Sequence, residues 1–315
     1  MKTFNQGQLG YQTATYDFNR LVLGTAQLGM SYGIANKTGQ PDLAQAMEIV
    51  QAAWQIGIRR IDTAQGYGNS ESVIGKALQQ FSPGAQAEVI TKLDTKIDLF
   101  NKKKVIDAVR KSIEFLQVPN LYGLMLHREG LLNFWDQGIK ETFLELIQRG
   151  LLRYAGISVY SPDQAHQALE KEKIDFVQIP SNIFDRRFFQ KEIFKLAAAK
   201  NKQLYVRSIF LQGLILMNVD SIPDELAGIR PFIQQMDTLG QRFRLSRLDM
   251  ALGYVRDLLP HCFIVFGVES VEQLRDIVSS WLQPLPKGFL EAVVNEWSVC
   301  NEHLLDPSQW FSPQV

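Results

Sequence analysis

Cysteine is nearly missing from this chain of 315 residues, with only Cys262 and Cys300 present. Two thiols cannot staple a fold this long, so a secreted disulfide scaffold is excluded, and no Cys/His spacing matches a zinc site. Net charge is missing too. Lys+Arg and Asp+Glu each total 33, with no long run of either sign. Neither a nucleic-acid footprint nor a polybasic membrane patch is therefore written in the chain. Long apolar runs are lacking as well. No window approaches the ~20 apolar residues of a membrane-spanning helix, and residues 1–10 hold no basic segment followed by an apolar stretch. These absences predict a soluble, cytoplasmic protein whose partner is a small molecule, not nucleic acid or membrane. Phosphate-loop signatures are also absent. The stretch Gly24-Thr-Ala-Gln-Leu-Gly29 lacks the G-x-G-x-x-G spacing, and no G-x-x-x-x-G-K-[ST] loop occurs.

What is present is a repeating alternation in a chain that is 46% hydrophobic. Short aliphatic or β-branched runs predict strands at Leu21–Leu23, Ile58–Ile61, Glu88–Thr91, Leu121–Leu126, Tyr154–Ile157, Phe176–Ile179, Leu204–Val206 and Phe263–Phe266. Between them, Asp42–Ile56, Lys103–Leu116, Gly138–Gln148, Pro162–Leu169, Lys191–Ala199, Ser246–Leu259 and Val271–Trp281 carry apolar residues at helical spacing, and Ser70–Leu78 does so more weakly. Strands each followed by a helix predict the α/β class and a closed (β/α)8 TIM barrel in a single domain. The barrel is expected over residues 20–282. Residues 1–19 are expected to form an extension or a hairpin under the barrel, and residues 283–315 an extension packed against it. Leu214–Arg244 is long for a βα connection and reads as a lid. Trp297, Trp310 and Phe311 in the tail read first as packing residues.

In such barrels the chemistry sits at the carboxy-terminal ends of the strands. Here those ends carry Asp62, Lys92, His127, Ser158, Gln178 and Arg207-Ser208, which should converge on one mouth. Alone, Asp62 reads as a cap and His127 as a satisfied core histidine. Together they read differently. Lys92 follows an apolar strand, so its ammonium needs a carboxylate, and Asp62 on the neighbouring strand is the obvious partner. A cation placed there is expected to lower the pKa of Tyr67 and make it a better acid.

The pattern Asp62-Thr-Ala-Gln-Gly-Tyr67-Gly68, with Lys92 ending the third strand and His127 ending the fourth, resembles the aldo-keto reductases, in their long-loop bacterial form, from Arg20 to about Leu282. The resemblance implies a nicotinamide cofactor extended across the barrel mouth and hydride transfer to a carbonyl. It makes Tyr67 the acid, tuned by Lys92 and Asp62, with His127 positioning the carbonyl. It further implies cofactor contacts from Gly24, Thr25, Ser158, Gln178, Arg207, Ser208, Gly213, Gly267, Val268, Glu269, Ser270, Gln273 and Asp276. Four positions depart from the pattern, Glu269 among them, where many members carry a cation or a serine. Val159 stands where an Asn is usual, and Ile277 replaces another. Arg207 stands where an aromatic often stacks on nicotinamide, so it serves either the reduced cofactor or an anionic group of the substrate.

Glu269 would repel a 2′-phosphate and accept from a free 2′-hydroxyl. Arginines 242, 244 and 247 lie close enough in the chain to serve that phosphate, and the habit of the family places NADP(H) ahead of NAD(H). The substrate class implied is a small aldehyde, ketone or sugar-like carbonyl. Two other readings stand beside the reductase. One is a cofactor-sensing regulatory protein with weak catalysis; the other is a Schiff-base aldolase using Lys92.

Overall fold

The computed structural model describes residues 17–81, 87–127, 129–297 and 300–310. Most of the expected amino-terminal extension or hairpin, and Phe311, lie outside these residues. Eight strands close a barrel in chain order: β1 (Leu21–Gly24), β2 (Arg60–Asp62), β3 (Glu88–Lys92), β4 (Leu121–Leu126), β5 (Leu152–Ser158), β6 (Phe176–Pro180), β7 (Gln203–Arg207) and β8 (Cys262–Gly267). Every neighbouring pair is parallel, including β8 with β1, where Gly24 lies opposite Gly267. The expected (β/α)8 barrel is thus observed, with each expected strand in place.

Helices ring the barrel. In chain order they are α1 (Ala26–Gly29), α2 (Leu43–Ile56), α3 (Ser70–Phe81), α4 (Lys102–Leu116), α5 (Lys140–Gln148), α6 (Pro162–Glu170) and α7 (Arg187–Gln190). They continue with α8 (Ile193–Ala199), α9 (Arg230–Phe243), α10 (Arg247–Leu258), α11 (Val271–Leu282), α12 (Phe289–Glu296) and α13 (Glu302–Leu305). Helix α2 shows why these segments fold as they do. Asp42 accepts from the Gln45 N–H while the Gln45 side chain accepts from the Asp42 N–H, a reciprocal cap worth about 1 kcal/mol. Ala46, Ile49, Val50 and Ala53 then recur on one face and are buried against the barrel, and Gly57 ends the helix at a φ of 106°.

Two layers of apolar packing result. One lies between strands and helices. The other fills the barrel itself, where Val22, Ile90, Met125, Phe176, Tyr205 and Val265 form a floor beneath the carboxy-terminal mouth. At the opposite end Arg60 pairs with Glu88 and stacks on Phe263 at 4.0 Å. Charge is therefore available at the mouth only from residues standing above an apolar plug.

The Leu214–Arg244 connection is more ordered than a bare loop. Short 3-10 turns at Leu214–Leu216, Val219–Ser221 and Asp224–Ile229 lead into α9, whose Ile233, Met236 and Leu239 are buried at helical spacing. The tail packs as its aromatics suggest. Trp297 lies against Phe184, with ring centroids 5.3 Å apart, and Arg186 donates to the carbonyls of Val293, Val294 and Trp297.

Candidate active site

Strand β2 ends in Asp62, and the chain then turns back over the barrel mouth instead of entering a helix at once. Three polar side chains fix that turn. Thr63 donates to Ser70 Oγ (3.0 Å), Ser70 lies 2.8 Å from Thr25 Oγ1, and Thr25 donates to the Asp62 carbonyl (2.9 Å). All three are buried. This chain ties the Asp62–Ser70 loop to the end of β1 and limits how far Tyr67 can wander. Glycine completes the fit: a Cβ on Gly29 would lie 1.9 Å from the Tyr67 carbonyl oxygen, and one on Gly68, at a φ of 56°, 2.1 Å from the Gly29 carbonyl oxygen. The two backbones meet directly, which no side chain would allow.

Lys92 enters from the end of β3. Its ammonium donates to Asp62 Oδ1 at 2.6 Å and to the Thr63 carbonyl at 3.0 Å, and the residue is 1% exposed. Gln178 on β6 donates to the other carboxylate oxygen at 2.8 Å. Both oxygens of Asp62 are thereby engaged. Burial pulls the Lys92 ammonium down from its usual range, and the adjacent carboxylate opposes that pull.

Tyr67 lies over this pair, with the Lys92 ammonium 5.1 Å from its ring centroid. Its ring meets that of His127 edge to face at 6.1 Å. The tetrad expected from the sequence is brought together. The expected electrostatic effect on the tyrosine is not. Burial, and then the Asp62 carboxylate, push the Tyr67 phenol well above its ordinary value. The cation that opposes this is Arg207, not Lys92, and burial outweighs it. The phenol consequently keeps its proton at neutral pH. His127 moves the other way: burial, followed by the Lys92 charge, lowers it to about 4, so the imidazole is neutral near pH 7. A carbonyl oxygen placed between these rings would meet a phenolic O–H and, in the right tautomer, an imidazole N–H.

The tetrad stands at one end of an elongated cleft of about 520 Å³. Ser158 and Gln178, opposite each other in the β5/β6 register, line it together with the tetrad. Gly24 and Thr25 of β1 and Gly267, Val268 and Glu269 beyond β8 line it, as do Gln273 and Asp276 of α11. Ser208 and Gly213 line it from the loop after β7. Ser270 has a different task, since its hydroxyl caps α11 by accepting from the Gln273 N–H. Arginines 242, 244 and 247 do not reach the cleft at all. Arg247 is held by both oxygens of Asp237 at 2.6 Å and by the Met217 carbonyl, and Arg242 lies over Phe243. Trp297 and Trp310 likewise stay out of it. A side pocket of about 170 Å³ meets the cleft at His127, walled by Leu93, Ile97, Leu99, Phe100 and Leu131 and by the polar Asp94, Thr95 and Asp98.

Further residues line the cleft, of which Lys37 and Tyr160 are not evident from the sequence. Tyr32 and Lys37 come from the loop after α1, Tyr160 from the turn after β5, and Gln212 from the loop after β7. The Ala35 N–H reaches the Gln212 carbonyl at 3.4 Å, so the first and seventh loops touch across the cleft. Among the described residues no group of acids, histidines and cysteines is arranged to hold a metal ion, and no helix is long and apolar enough to cross a membrane.

Comparison with known proteins agrees with this geometry. The family model described as "Aldo/keto reductase family" matches residues 20–295. The chain is 29% identical over 285 residues to the uncharacterized oxidoreductase YqkF of Bacillus subtilis, covering 82% of this chain and 89% of that protein. It is 30% identical over 176 residues to the aldo-keto reductase YhdN of the same organism, a match covering 53% of this chain and 51% of YhdN, about half of each. Among solved structures, aldo-keto reductase AKR11C1 of Bacillus halodurans superposes with a TM-score of 0.72 at 21% identity, over 90% of this chain and 95% of that one. That last likeness is one of fold.

Proposed function

The chain belongs to the aldo/keto reductase family of oxidoreductases, and from that premise we propose that its cleft binds a nicotinamide dinucleotide and reduces the carbonyl of a small molecule, with Tyr67 as proton donor. The observation that carries this reading is the buried Lys92–Asp62–Gln178 cluster directly beneath Tyr67 and beside His127. The two free thiols suit a reducing cytoplasm.

The cleft suits a dinucleotide in volume and in the polar groups that line it. Ser158 and Gln178 offer a hydroxyl and an amide at the catalytic end, matching a carboxamide. Gly24, Thr25, Ser208 and Gly213 border its middle, while Gly267, Val268, Gln273 and Asp276 would receive the adenosine half. When bound, the nicotinamide supplies hydride to the carbonyl carbon. The protein's own part is proton delivery. His127 donates to the carbonyl oxygen and sets its direction, and Tyr67 passes its proton to that oxygen as alkoxide character develops. A high phenol pKa suits this direction, because the donor is always loaded and the developing alkoxide is the stronger base. Lys92 and Asp62 hold Tyr67 in place without adding net charge. The side pocket beside His127, which carries Asp94, Thr95 and Asp98 among its apolar walls, gives the substrate's remainder a place to lie.

A pH profile follows from the two shifts. Tyr67 stays protonated and His127 stays neutral from about pH 5 to about pH 9, so kcat/KM for reduction should be flat across that window. Initial rates with a saturating reduced cofactor check this. An inflection near pH 7 would show that some other group governs the step.

Cofactor choice is argued from charge. The β8–α11 end of the cleft carries the carboxylates of Glu269 and Asp276, while its cations, Lys37, Lys92 and Arg207, come from elsewhere. A 2′-phosphate dianion at that end would meet like charge, whereas a free 2′-hydroxyl would meet acceptors. NAD(H) is therefore favoured over NADP(H), the reverse of the order expected from family habit. Fluorescence titration should show NADH binding at least tenfold tighter than NADPH, and Glu269→Ser should narrow the gap. Equal affinities, or a gap unmoved in Glu269→Ser, would contradict the assignment.

A further inference from the structure

The catalytic end of the cleft carries one charge more than its chemistry requires. Asp62 and Lys92 cancel, while Tyr67 and His127 are neutral, yet Arg207 lines the same space. Its guanidinium is fixed against the Tyr160 ring, 4.3 Å from the centroid, and donates to Ser208 Oγ at 3.1 Å and, over a long 3.5 Å, to the Val159 carbonyl. Both acceptors are neutral. Four other half-buried or buried arginines have carboxylates, in Arg60–Glu88, Arg187–Asp185, Arg247–Asp237 and Arg256–Asp257, while Arg20 and Arg186 each spend their donors on three backbone carbonyls. Among the described residues Arg207 has no carboxylate within ion-pair distance, and the nearest acid of the catalytic cluster, Asp62, is already bonded through both oxygens. A guanidinium presents five N–H donors, and here only two are engaged within the protein.

A half-buried cation held rigid by stacking and left without a counter-charge is a prepared anion site. It lines the same end of the cleft as Tyr67 and His127, within reach of one small molecule. We propose that Arg207 selects the substrate, and that the carbonyl compounds this enzyme turns over carry an anionic group, a carboxylate or a phosphate, a few bonds from the carbonyl. Binding of that group supplies the missing negative charge and fixes the carbonyl against Tyr67, so the selectivity lies in KM. The proposal rests on the reductase reading above.

Matched pairs test it: succinic semialdehyde against butanal for a carboxylate, and glyceraldehyde 3-phosphate against glyceraldehyde for a phosphate. Wild type should prefer the anionic member of at least one pair by tenfold or more in kcat/KM, mainly through KM, and the favoured pair identifies the group. In Arg207→Met the ratio should fall to near one, whatever happens to the overall rate, and Arg207→Lys should retain part of it. A readout without turnover accompanies this: succinate and inorganic phosphate, titrated against the NADH complex by fluorescence, should bind tenfold more weakly to Arg207→Met. Ratios near one in wild type, or a ratio unmoved by Arg207→Met, would overturn the proposal. So would a loss of NADH affinity in Arg207→Met with selectivity unchanged, which would make Arg207 a cofactor contact. If wild type reduces none of the four compounds, the reductase reading is what fails, and the anion titration still decides the role of Arg207.

Discussion

Tyr67→Phe is expected to lower kcat for carbonyl reduction by about 10²–10⁴-fold while leaving the NADH dissociation constant within about twofold. The substitution removes one oxygen and its proton. The ring remains, and with it the edge-to-face contact with His127 and the position over Lys92. The hydrogen-bond chain that fixes the loop runs through Thr63, Ser70 and Thr25 and does not involve the phenol, so the fold should be unaffected. The loss should fall on kcat, since a proton donor acts in the transition state and contributes less to ground-state binding. Stopped-flow measurement of NADH oxidation at saturating aldehyde separates the two terms. A rate within a fewfold of wild type would remove Tyr67 from its role and move the proton source to His127 or to water.

The second large effect concerns the buried ion pair. Lys92→Met leaves the Asp62 carboxylate, 4% exposed, with Gln178 as its remaining side-chain partner. An uncompensated charge in such a place costs about 3–5 kcal/mol of stability. Activity should fall as well, on the order of 10²–10³-fold, because the cluster beneath Tyr67 would acquire net negative charge and draw in water. Adding Asp62→Asn separates the two causes. The amide still accepts from Gln178 and brings no charge, so the double variant should recover stability to within about 1 kcal/mol of wild type. Reduction should stay low. Urea midpoints and kcat/KM measured on the same samples decide between the outcomes. A double variant that regains wild-type rates would mean that the ion pair is structural support alone.

The sequence already speaks at the strand ends, and the reason is physical. Strands such as Glu88–Lys92 and Leu121–Leu126 are buried on both faces, so they appear as unbroken apolar runs whose last residues project into the mouth. That is why Asp62, Lys92 and His127 can be picked out before any coordinates exist. The loop after β7 is different. Ser208, Leu211 and Gln212 all take left-handed backbone conformations, with φ of 59°, 47° and 55°, and side chains of this kind give no advance sign of it. Ser208 and Gly213 can be named from the motif, but Ile209 and Phe210, which that loop also turns to the cleft, cannot. Helix α9 is not expected from the sequence, although Ile233, Met236 and Leu239 have helical spacing, because its segment reads as a connection between strand and helix.

Electrostatics were harder still. Pairing Lys92 with Asp62 can be read from neighbouring strands, but the sign of the Tyr67 shift depends on a sum of burial, carboxylate and guanidinium that no spacing reveals. The same holds for arginines 242, 244 and 247, which are near the cofactor segment in the chain and yet turned to Asp237, Met217 and Phe243 or left outside the cleft.

The most direct measurement uses NADH carrying deuterium at the transferable C4 position, mixed with the protein and a slight excess of an aldehyde of the favoured pair, with the product examined by NMR. The account predicts an alcohol with deuterium on the former carbonyl carbon, formed by wild type and almost not at all by Tyr67→Phe. Binding of NADH without any labelled alcohol would identify a cofactor sensor, and an aldehyde trapped on Lys92 by borohydride would identify an aldolase. Either result would contradict the claim that this cleft delivers a hydride and the Tyr67 proton to the same carbonyl.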